Sequence, residues 1–253
     1  MRTFLLLFAL LSVRIQAATV LVAAASDLQF VFPELIAQYE TAHPGTKISP
    51  TYGSSGKFYE QIRKGAPFDL YLSADAEFPK KLIASGHGDE AGFFQYGIGK
   101  IVVWALKTSS LEVEKKGIGV TMDSSVQKIA IANPDHAPYG RAAVAALQKA
   151  GVYESVKDRF VLGENVVQAA QFVETGAAEV GVIGLSLALA PQLQARGKYS
   201  EISADLYPKL EQAGLVISKS RNADEARKFK AFLQSDSSRV ILTKFGFSLP
   251  ETH

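Results

Sequence analysis

The sequence predicts an α/β protein with two lobes, each a mostly parallel β-sheet flanked by helices. Short apolar runs alternate with segments that repeat apolar residues at helical spacing, a pattern typical of βαβ units. The alternation begins again near the middle of the chain. The chain has 253 residues, of which 47% are hydrophobic, and this length suits one large or two modest domains.

The first lobe begins with a predicted strand at 19–26, followed by a helix whose apolar positions repeat from Leu28 to Tyr39. Ser26 or Asp27 suits the N-cap of this helix. The same pattern then predicts a strand at 47–53, a helix at 57–65, a strand at 68–75 and a helix at 76–86.

The second lobe begins with an apolar strand at 100–107. The pattern continues with a strand and turn at 128–135, a helix at 141–151, a strand at 159–163, a helix at 164–176 and a strand at 179–189. The chain ends with a strand at 214–219 and a helix at 223–235. No flexible linker separates the lobes, so the chain should cross between them through extended segments near 97–100 and 213–215. We therefore assign 18–98 and 214–253 to lobe 1 and 99–213 to lobe 2.

Residues 1–17 have the features of a cleaved secretory signal peptide. Arg2 precedes an apolar run from Phe4 to Leu11, and small residues follow at Ala17 and Ala18. The run is far shorter than the roughly 20 apolar residues of a membrane-spanning helix. An uncleaved anchor is the alternative. The chain has no cysteine for lipid attachment, so we expect a soluble protein in a bacterial periplasm.

The charge balance and residue types argue against several functional classes. A net charge of +2 supplies no concentrated basic face for nucleic acid. The four histidines have no metal-ligand spacing, and the absence of cysteine excludes zinc–thiolate sites and a cysteine nucleophile. Ser186 lies in Gly-Leu-Ser-Leu-Ala, which lacks the second glycine of a nucleophile elbow. We therefore expect no cofactor and no catalytic residue.

Four polar turns stand directly before predicted helices: 23–27, 53–57, 137–141 and 163–165. A helix start presents unpaired N–H groups and a partial positive charge, so it binds an anion without Lys or Arg. The carboxyl ends of parallel strands meet at one sheet edge, so these turns are expected to converge in the crevice between the lobes. The alternative is that Ser26 and Ser55 only cap their helices.

These segments resemble the periplasmic molybdate-binding proteins of ABC importers, which are type II periplasmic binding proteins. The resemblance covers essentially the whole chain after the signal peptide. Its strongest signals are GAPFDLYLSAD at 65–75 and NPDHAPYG at 133–140, in this order. AAASDLQ at 23–29, the segment 163–181 and FGF at 245–247 add to it. The resemblance implies a ligand cleft between the two lobes.

In that family, two serine hydroxyls and backbone N–H groups hold a tetrahedral oxyanion, and no charged side chain contacts it. Matching the motifs places the hydroxyls at Ser26 and Ser55. The backbone donors then fall on Tyr139 and Val166. All four residues are expected to contact the oxygens of molybdate and not the metal itself.

Two positions depart from the family pattern. Some members add a tyrosine hydroxyl at the position that Gly184 holds here, so this contact is missing. Asp27 brings a carboxylate near the site of a dianion. As a residue of the first helical turn, Asp27 is expected to point outward into solvent.

The resemblance implies a periplasmic solute-binding protein that captures molybdate, and also tungstate, and delivers it to the membrane permease of an ABC importer. It implies a monomer without catalysis. Another tetrahedral oxyanion, such as sulfate or thiosulfate, is the alternative ligand. An exported enzyme on the same scaffold, such as a dehydratase of small carboxylates, is a further alternative. It would need an acid or base in the cleft, where Asp27, His136 and Arg141 are the candidates.

Overall fold

A computed structural model describes residues 18–250 and contains two five-stranded β-sheets flanked by helices. This architecture confirms the predicted two-lobed α/β fold. The predicted signal peptide, 1–17, and the last three residues, 251–253, lie outside the described residues.

The first sheet combines early strands with one late strand. Its strands are β1 (Ala18–Ala25), β2 (Thr46–Gly53), β3 (Leu70–Ser73), β4 (Phe93–Gly99) and β10 (Leu210–Val216). Their order across the sheet is β2-β1-β3-β10-β4. β1 pairs in parallel with β2 and β3, whereas β10 pairs antiparallel with β3 and β4. Four strands therefore run in one direction and β10 runs against them.

The second sheet repeats this plan. Its strands are β5 (Ile101–Leu106), β6 (Ile129–Ala132), β7 (Phe160–Gly163), β8 (Val180–Gly184) and β9 (Gly197–Glu201). Their order is β7-β6-β8-β5-β9. β6 pairs in parallel with β7 and β8, and β5 pairs antiparallel with β8 and β9. β5 is thus the reversed strand here.

Helices follow most of the strands and cover the sheets. In the described chain they are α1 (Phe32–Ala42), α2 (Ser55–Arg63), α3 (Glu77–Ala84), α4 (Val113–Lys116), α5 (Pro138–Lys149), α6 (Tyr153–Val156), α7 (Val166–Glu174), α8 (Leu185–Ala188), α9 (Pro191–Arg196), α10 (Ala223–Leu233) and α11 (Asp236–Lys244). Within residues 18–250, none of them is both long enough and apolar enough to cross a membrane.

Each sheet has its own apolar core. In the first, Phe229 of α10 packs against Phe32 and Tyr39 of α1, with ring centroids 5.7 and 4.8 Å away. In the second, Trp104 of β5 is fully buried among the apolar residues of the neighbouring strands and helices. Burial of this apolar area stabilises each sheet with its helices as a unit.

The chain passes from the first sheet to the second between Gly99 and Ile101, and returns between Glu201 and Leu210. Strand β10 pairs with the first sheet along its whole length, so residues 210–213 lie in that sheet, ahead of the predicted boundary at 214. Glu211 and Gln212 interrupt the apolar pattern at the start of this strand, and the register shifts between Gln212 and Ala213.

Several elements differ from the sequence prediction. The first α-helix begins at Phe32, because Ser26–Leu28 form a separate 3₁₀ turn. The predicted strand at 179–189 ends at Gly184 and continues as α8. Strands β4 and β9 were not predicted. Apolar periodicity alone does not separate short buried strands from buried helical turns, which explains these differences.

Candidate functional site

A small cavity lies between the two sheets, where helix starts from both sides meet. Its lining residues follow the carboxyl ends of strands and precede helices: Ala25, Ser26, Asp27, Gly53, Ser54, Ser55, Ala74, Ala137, Pro138, Tyr139, Asn165 and Val166. The four predicted site residues, Ser26, Ser55, Tyr139 and Val166, all lie in this lining and all are buried. None of the lining residues carries a positive charge.

The serine hydroxyls are not helix caps. Ser26 is the first residue of the 3₁₀ turn and Ser55 the first residue of α2, and neither side chain bonds the N–H groups of its own helix. The Ser55 hydroxyl accepts a hydrogen bond from the Ala74 N–H at 3.0 Å. The Ser26 hydroxyl makes no hydrogen bond within residues 18–250. This geometry disfavours the alternative in which both serines serve only their helices.

The Tyr139 N–H lies in the first turn of α5, where backbone N–H groups have no intrahelical acceptor. Pro138 precedes it, and proline suits the first helical position because it has no N–H group. A Cβ atom at Gly140 would lie 2.1 Å from the Ala132 carbonyl oxygen. Glycine at this position therefore lets the start of α5 approach the end of β6.

The N-cap of α7 leaves the Val166 N–H free. The Asn165 side chain caps α7 and accepts hydrogen bonds from Val167 and Gln168, at 3.0 and 3.1 Å. These bonds satisfy the second and third N–H groups of the helix. The first N–H, on Val166, remains available at the cavity.

The predicted outward orientation of Asp27 is wrong. The residue is 1% exposed and lines the cavity. Its Oδ2 accepts a hydrogen bond from the Tyr139 hydroxyl at 3.1 Å, and its Oδ1 has no partner within the described chain. Burial raises the pKa of Asp27 to about 7, and the hydrogen bond from Tyr139 only partly offsets this. The sequence did not reveal this burial because the elements that cover Asp27 are distant along the chain.

A chain of hydrogen bonds supports Asp27 from behind. The single proton of the Tyr96 hydroxyl is shared between two acceptors, the Gln212 side-chain oxygen at 3.0 Å and the Ser73 carbonyl at 3.1 Å. The Gln212 amide then donates to the Tyr139 hydroxyl at 3.4 Å. Tyr96 and Gln212 were not among the predicted site residues. Gln212 carries one sequence signal, a polar residue beside a buried apolar strand.

The Tyr139 side chain also accounts for Gly184. A Cβ atom at Gly184 would lie 3.1 Å from the Tyr139 ring. The ring therefore occupies the space beside this position, where the family pattern led us to look for a tyrosine. The predicted role of Tyr139 was limited to its backbone N–H, but its phenol is also buried and bonded to Asp27.

Contacts between the two sides close the cavity. The Gly56 N–H donates to the His136 carbonyl at 2.9 Å, and the Ser54 hydroxyl bonds the same carbonyl at 2.6 Å. Arg141 forms an ion pair with Asp75, and Lys57 lies 3.4 Å from Glu164. Each pair joins a helix that follows one sheet to a turn that follows a strand of the other sheet.

His136 and Arg141, two of the three candidates for an enzymatic acid or base, lie in these closing contacts. The His136 Nδ1 atom lies 2.8 Å from the Ser54 hydroxyl, and burial lowers the pKa of the imidazole. Ser186, the weak nucleophile candidate, donates to the Asp27 carbonyl at 2.9 Å. Within the described residues, no cluster of three or more His, Asp or Glu side chains is arranged to hold a metal ion.

A larger cavity lies near the other end of the first sheet, between residues 62–69 and 217–222. Its buried carboxylate, Asp69, is fully engaged by the Leu21 N–H and by the Ser220 and Asn222 side chains. These bonds join β1, the residue before β3 and the segment after β10, so we interpret this carboxylate as structural.

Comparison with known proteins gives relatives that match over most of the chain. The chain is 33% identical to the molybdate-binding protein ModA of Azotobacter vinelandii, over 95% of this chain and 94% of that protein. It is 32% identical to ModA of Rhodobacter capsulatus, over 91% of this chain and 88% of that protein. These matches confirm the resemblance drawn from the sequence.

The solved structure of the periplasmic molybdate-binding protein of Azotobacter vinelandii matches with a TM-score of 0.84 at 27% identity, covering 92% of this chain and 100% of that chain. The family model of the bacterial extracellular solute-binding proteins matches residues 20–248. Two sheets of the same plan, a closed cavity between them and these matches lead to one conclusion: the chain belongs to the bacterial extracellular solute-binding protein family.

Proposed function

We propose that this chain is a periplasmic solute-binding protein that captures molybdate, and also tungstate, and delivers it to the membrane permease of an ABC importer. The observation that carries the proposal is the cavity itself. Hydroxyl and N–H donors from four helix starts converge on it, and no cationic side chain lines it. Relatives named as molybdate-binding proteins favour molybdate over sulfate or thiosulfate.

In this proposal, the hydroxyls of Ser26 and Ser55 and the N–H groups of Tyr139 and Val166 hold the anion. A buried dianion without a counter-cation is stable only when its oxygens are saturated by donors. Hydrogen bonds to charged groups contribute roughly 1.5–3 kcal/mol each. Several such bonds are sufficient for tight binding after the cost of ordering the lobes is subtracted.

The donors also explain selectivity against phosphate. Hydrogen phosphate carries a proton that needs an acceptor, whereas molybdate and tungstate are fully deprotonated at neutral pH. The serine and backbone groups at the cavity offer donors, so they favour the fully deprotonated anions. Asp27 is the one acidic side chain in the lining, and its protonation state decides whether an acceptor is present.

Transport requires no catalysis, and the proposal assigns none. Lobe closure would bury the anion and present a joined surface to the permease. Of the three candidate acids or bases of the enzymatic alternative, His136 and Arg141 are engaged in contacts across the cleft and only Asp27 lines the cavity. We further propose that 1–17 direct export and are removed, and that the protein acts as a monomer, whose mass size-exclusion chromatography with light scattering would report.

Calorimetric titration of the protein with molybdate, tungstate, sulfate and phosphate tests the proposal. We expect heat and saturation with molybdate and tungstate, and weak or no binding of phosphate. At 100 times its dissociation constant, molybdate should raise the free energy of unfolding by about 2.7 kcal/mol, because it binds only the folded state. Equal stabilisation by sulfate would move the assignment to a general oxyanion-binding protein.

A further inference from the structure

We propose that Asp27 binds the anion as the neutral acid, donating its proton from Oδ1 to a ligand oxygen, so that binding above neutral pH takes up one proton. The inference rests on the proposed function and adds a side-chain donor and a pH dependence to that site. Asp27, the one acidic residue of the lining, then becomes one of the hydrogen-bond donors to the anion.

The directions of the hydrogen bonds select the oxygen that carries the proton. Tyr96 donates to the Gln212 oxygen, which turns the Gln212 amide toward the Tyr139 hydroxyl. The Tyr139 oxygen therefore accepts from Gln212, and its own proton points to Asp27 Oδ2. Because Oδ2 is an acceptor in this chain, a proton on Asp27 belongs on Oδ1.

Oδ1 has no hydrogen-bond partner within residues 18–250, although it is buried. An unpaired buried donor is costly, so a proton on Oδ1 needs an acceptor. The groups facing the cavity from Ser26, Ser55, Tyr139 and Val166 are themselves donors toward an anion. An oxyanion in the cavity supplies the missing acceptor.

The surroundings favour the neutral acid. Burial raises the pKa of Asp27 to about 7, and the Tyr139 and Tyr96 phenols, whose pKa values burial raises well above 10, stay neutral. The elements packed most closely against residues 26–28 are β2, α7 and α8, and α5 contributes the Tyr139 hydroxyl. The charged groups of β2 and α7 form ion pairs, Lys47 with Glu40 and Glu174 with Arg196. Tyr52 of β2 is neutral, because burial raises its pKa to about 12. At the cavity edge Asp75 is paired with Arg141, His136 with Ser54, and Lys57 with Glu164.

A dianion beside an ionised Asp27 would repel it in a poorly screened site. Binding therefore selects the protonated carboxyl. Below the pKa of Asp27 in the free protein the proton is already present, and affinity should be flat. Above it each bound anion takes up one proton, and affinity should fall about tenfold per pH unit.

Calorimetric titration of the wild-type protein with sodium molybdate, in buffers of different ionisation enthalpy at about pH 6 and pH 8.5, counts the protons. We expect close to one proton taken up at the higher pH and much less at the lower. Asp27→Asn provides the matched variant, because the amide can accept from Tyr139 and donate to the anion without titrating. It should bind molybdate with equal affinity at both pH values, and at pH 8.5 about tenfold or more tighter than the wild type.

Glu114→Gln is the control, since it also replaces a carboxylate by an amide but is exposed in α4, outside the cavity lining and outside the contacts that close the cavity. It should leave proton uptake unchanged.

Molybdate binding by the wild type with no proton uptake at pH 8.5 would overturn the inference and leave the proposed function standing. So would hydrogen phosphate binding that Asp27→Asn abolishes, because Asp27 would then be an acceptor. No molybdate binding by wild type or variant at either pH would instead contradict the proposed function.

Discussion

Asp27 shows how one residue decides the chemistry of the cavity. A carboxyl that is 1% exposed has lost nearly all its water, and a single hydrogen bond from Tyr139 replaces only part of it. The neutral acid is the form that the fold tolerates best. The free protein therefore carries a cost at this position whenever the pH favours the ionised form.

Replacing Asp27 by asparagine should stabilise the ligand-free protein in a pH-dependent way. The folded pKa of about 7 lies above the unfolded value of 3.8, so the folded state binds more protons between these values and wild-type stability falls as pH rises through that window. The gain of Asp27→Asn over wild type should therefore grow from about pH 4 to 7 and level off above, at no more than about 4 kcal/mol. Urea unfolding at several pH values measures it. A gain that is constant with pH would mean that Asp27 does not titrate in this range.

The two serines should respond differently to removal of the hydroxyl. Ser26→Ala and Ser55→Ala should each weaken molybdate binding by roughly 1.5–3 kcal/mol, because each deletes a donor to a buried dianion. Only Ser55→Ala should also lower the free energy of unfolding without ligand, by about 1–3 kcal/mol, since the Ala74 N–H then loses its acceptor. Calorimetry and urea unfolding of both variants separate the two effects. An equal loss of stability in Ser26→Ala would mean that the Ser26 hydroxyl also forms a hydrogen bond within the protein.

At the scale of elements, the site is a set of helix starts, and each start uses its N–H groups differently. In α7 the Asn165 side chain takes the second and third groups and leaves the first for the cavity. In α5, Pro138 removes one donor and Tyr139 offers the next. In α2, the Gly56 N–H is used for closure against His136, next to Ser55 at the cavity. The proposed binding groups are thus tied to the positions of the caps.

Two substitutions at Asn165 separate capping from electrostatics. Asn165→Asp should keep the cap and leave stability nearly unchanged, because Asp and Asn cap equally well, yet it places a carboxylate beside the anion and should weaken molybdate binding at least tenfold. Asn165→Ala should lower the free energy of unfolding by about 1 kcal/mol. It should weaken binding less than Asn165→Asp. Unfolding and titration of the pair test this, and undiminished binding by Asn165→Asp would place the anion away from the start of α7.

At the scale of the whole molecule, two sheets of the same plan meet at the edges that line the cavity. Each contains one reversed strand, β10 or β5, next to a point where the chain changes sheet. The contacts that close the cavity involve few residues, mainly the starts of α2 and α5. Closure is therefore sensitive to the separation of these two helix starts.

Gly56→Ala tests closure directly. The added Cβ would lie 2.7 Å from the His136 carbonyl oxygen and 3.0 Å from its Cα. These contacts are too short, so the starts of α2 and α5 cannot approach as closely in the variant. We expect molybdate binding to weaken at least tenfold, while stability without ligand stays equal or rises by up to about 1 kcal/mol, since alanine is favoured over glycine in a helix. Small-angle X-ray scattering should show a protein that stays open in molybdate. Gly119→Ala is the control, because its Cβ would meet no atom within 4 Å. Wild-type affinity in Gly56→Ala would show that this contact is not needed for closure.

The sequence by itself determined the fold class and, to within a few residues, the helix starts that face the cavity. The alternation of apolar strands and amphipathic helices depends on residues only a few positions apart. Such patterns can therefore be recognised without knowledge of the tertiary structure. The family resemblance of the motif at 133–140 and of the polar turns at 23–27, 53–57 and 163–165 gave the four residues that share the cavity.

Only the tertiary structure decided the environment of those residues. Asp27 and Tyr139 are 112 positions apart in the chain, and Gln212 comes from a strand that returns to the first sheet late in the sequence. Whether a side chain at a helix start faces solvent or a cavity depends on which distant element covers it. Local periodicity does not predict that element. The burial of Asp27, the Tyr139 ring beside Gly184 and the chain of hydrogen bonds behind the cavity were therefore decided by the packing of the two lobes.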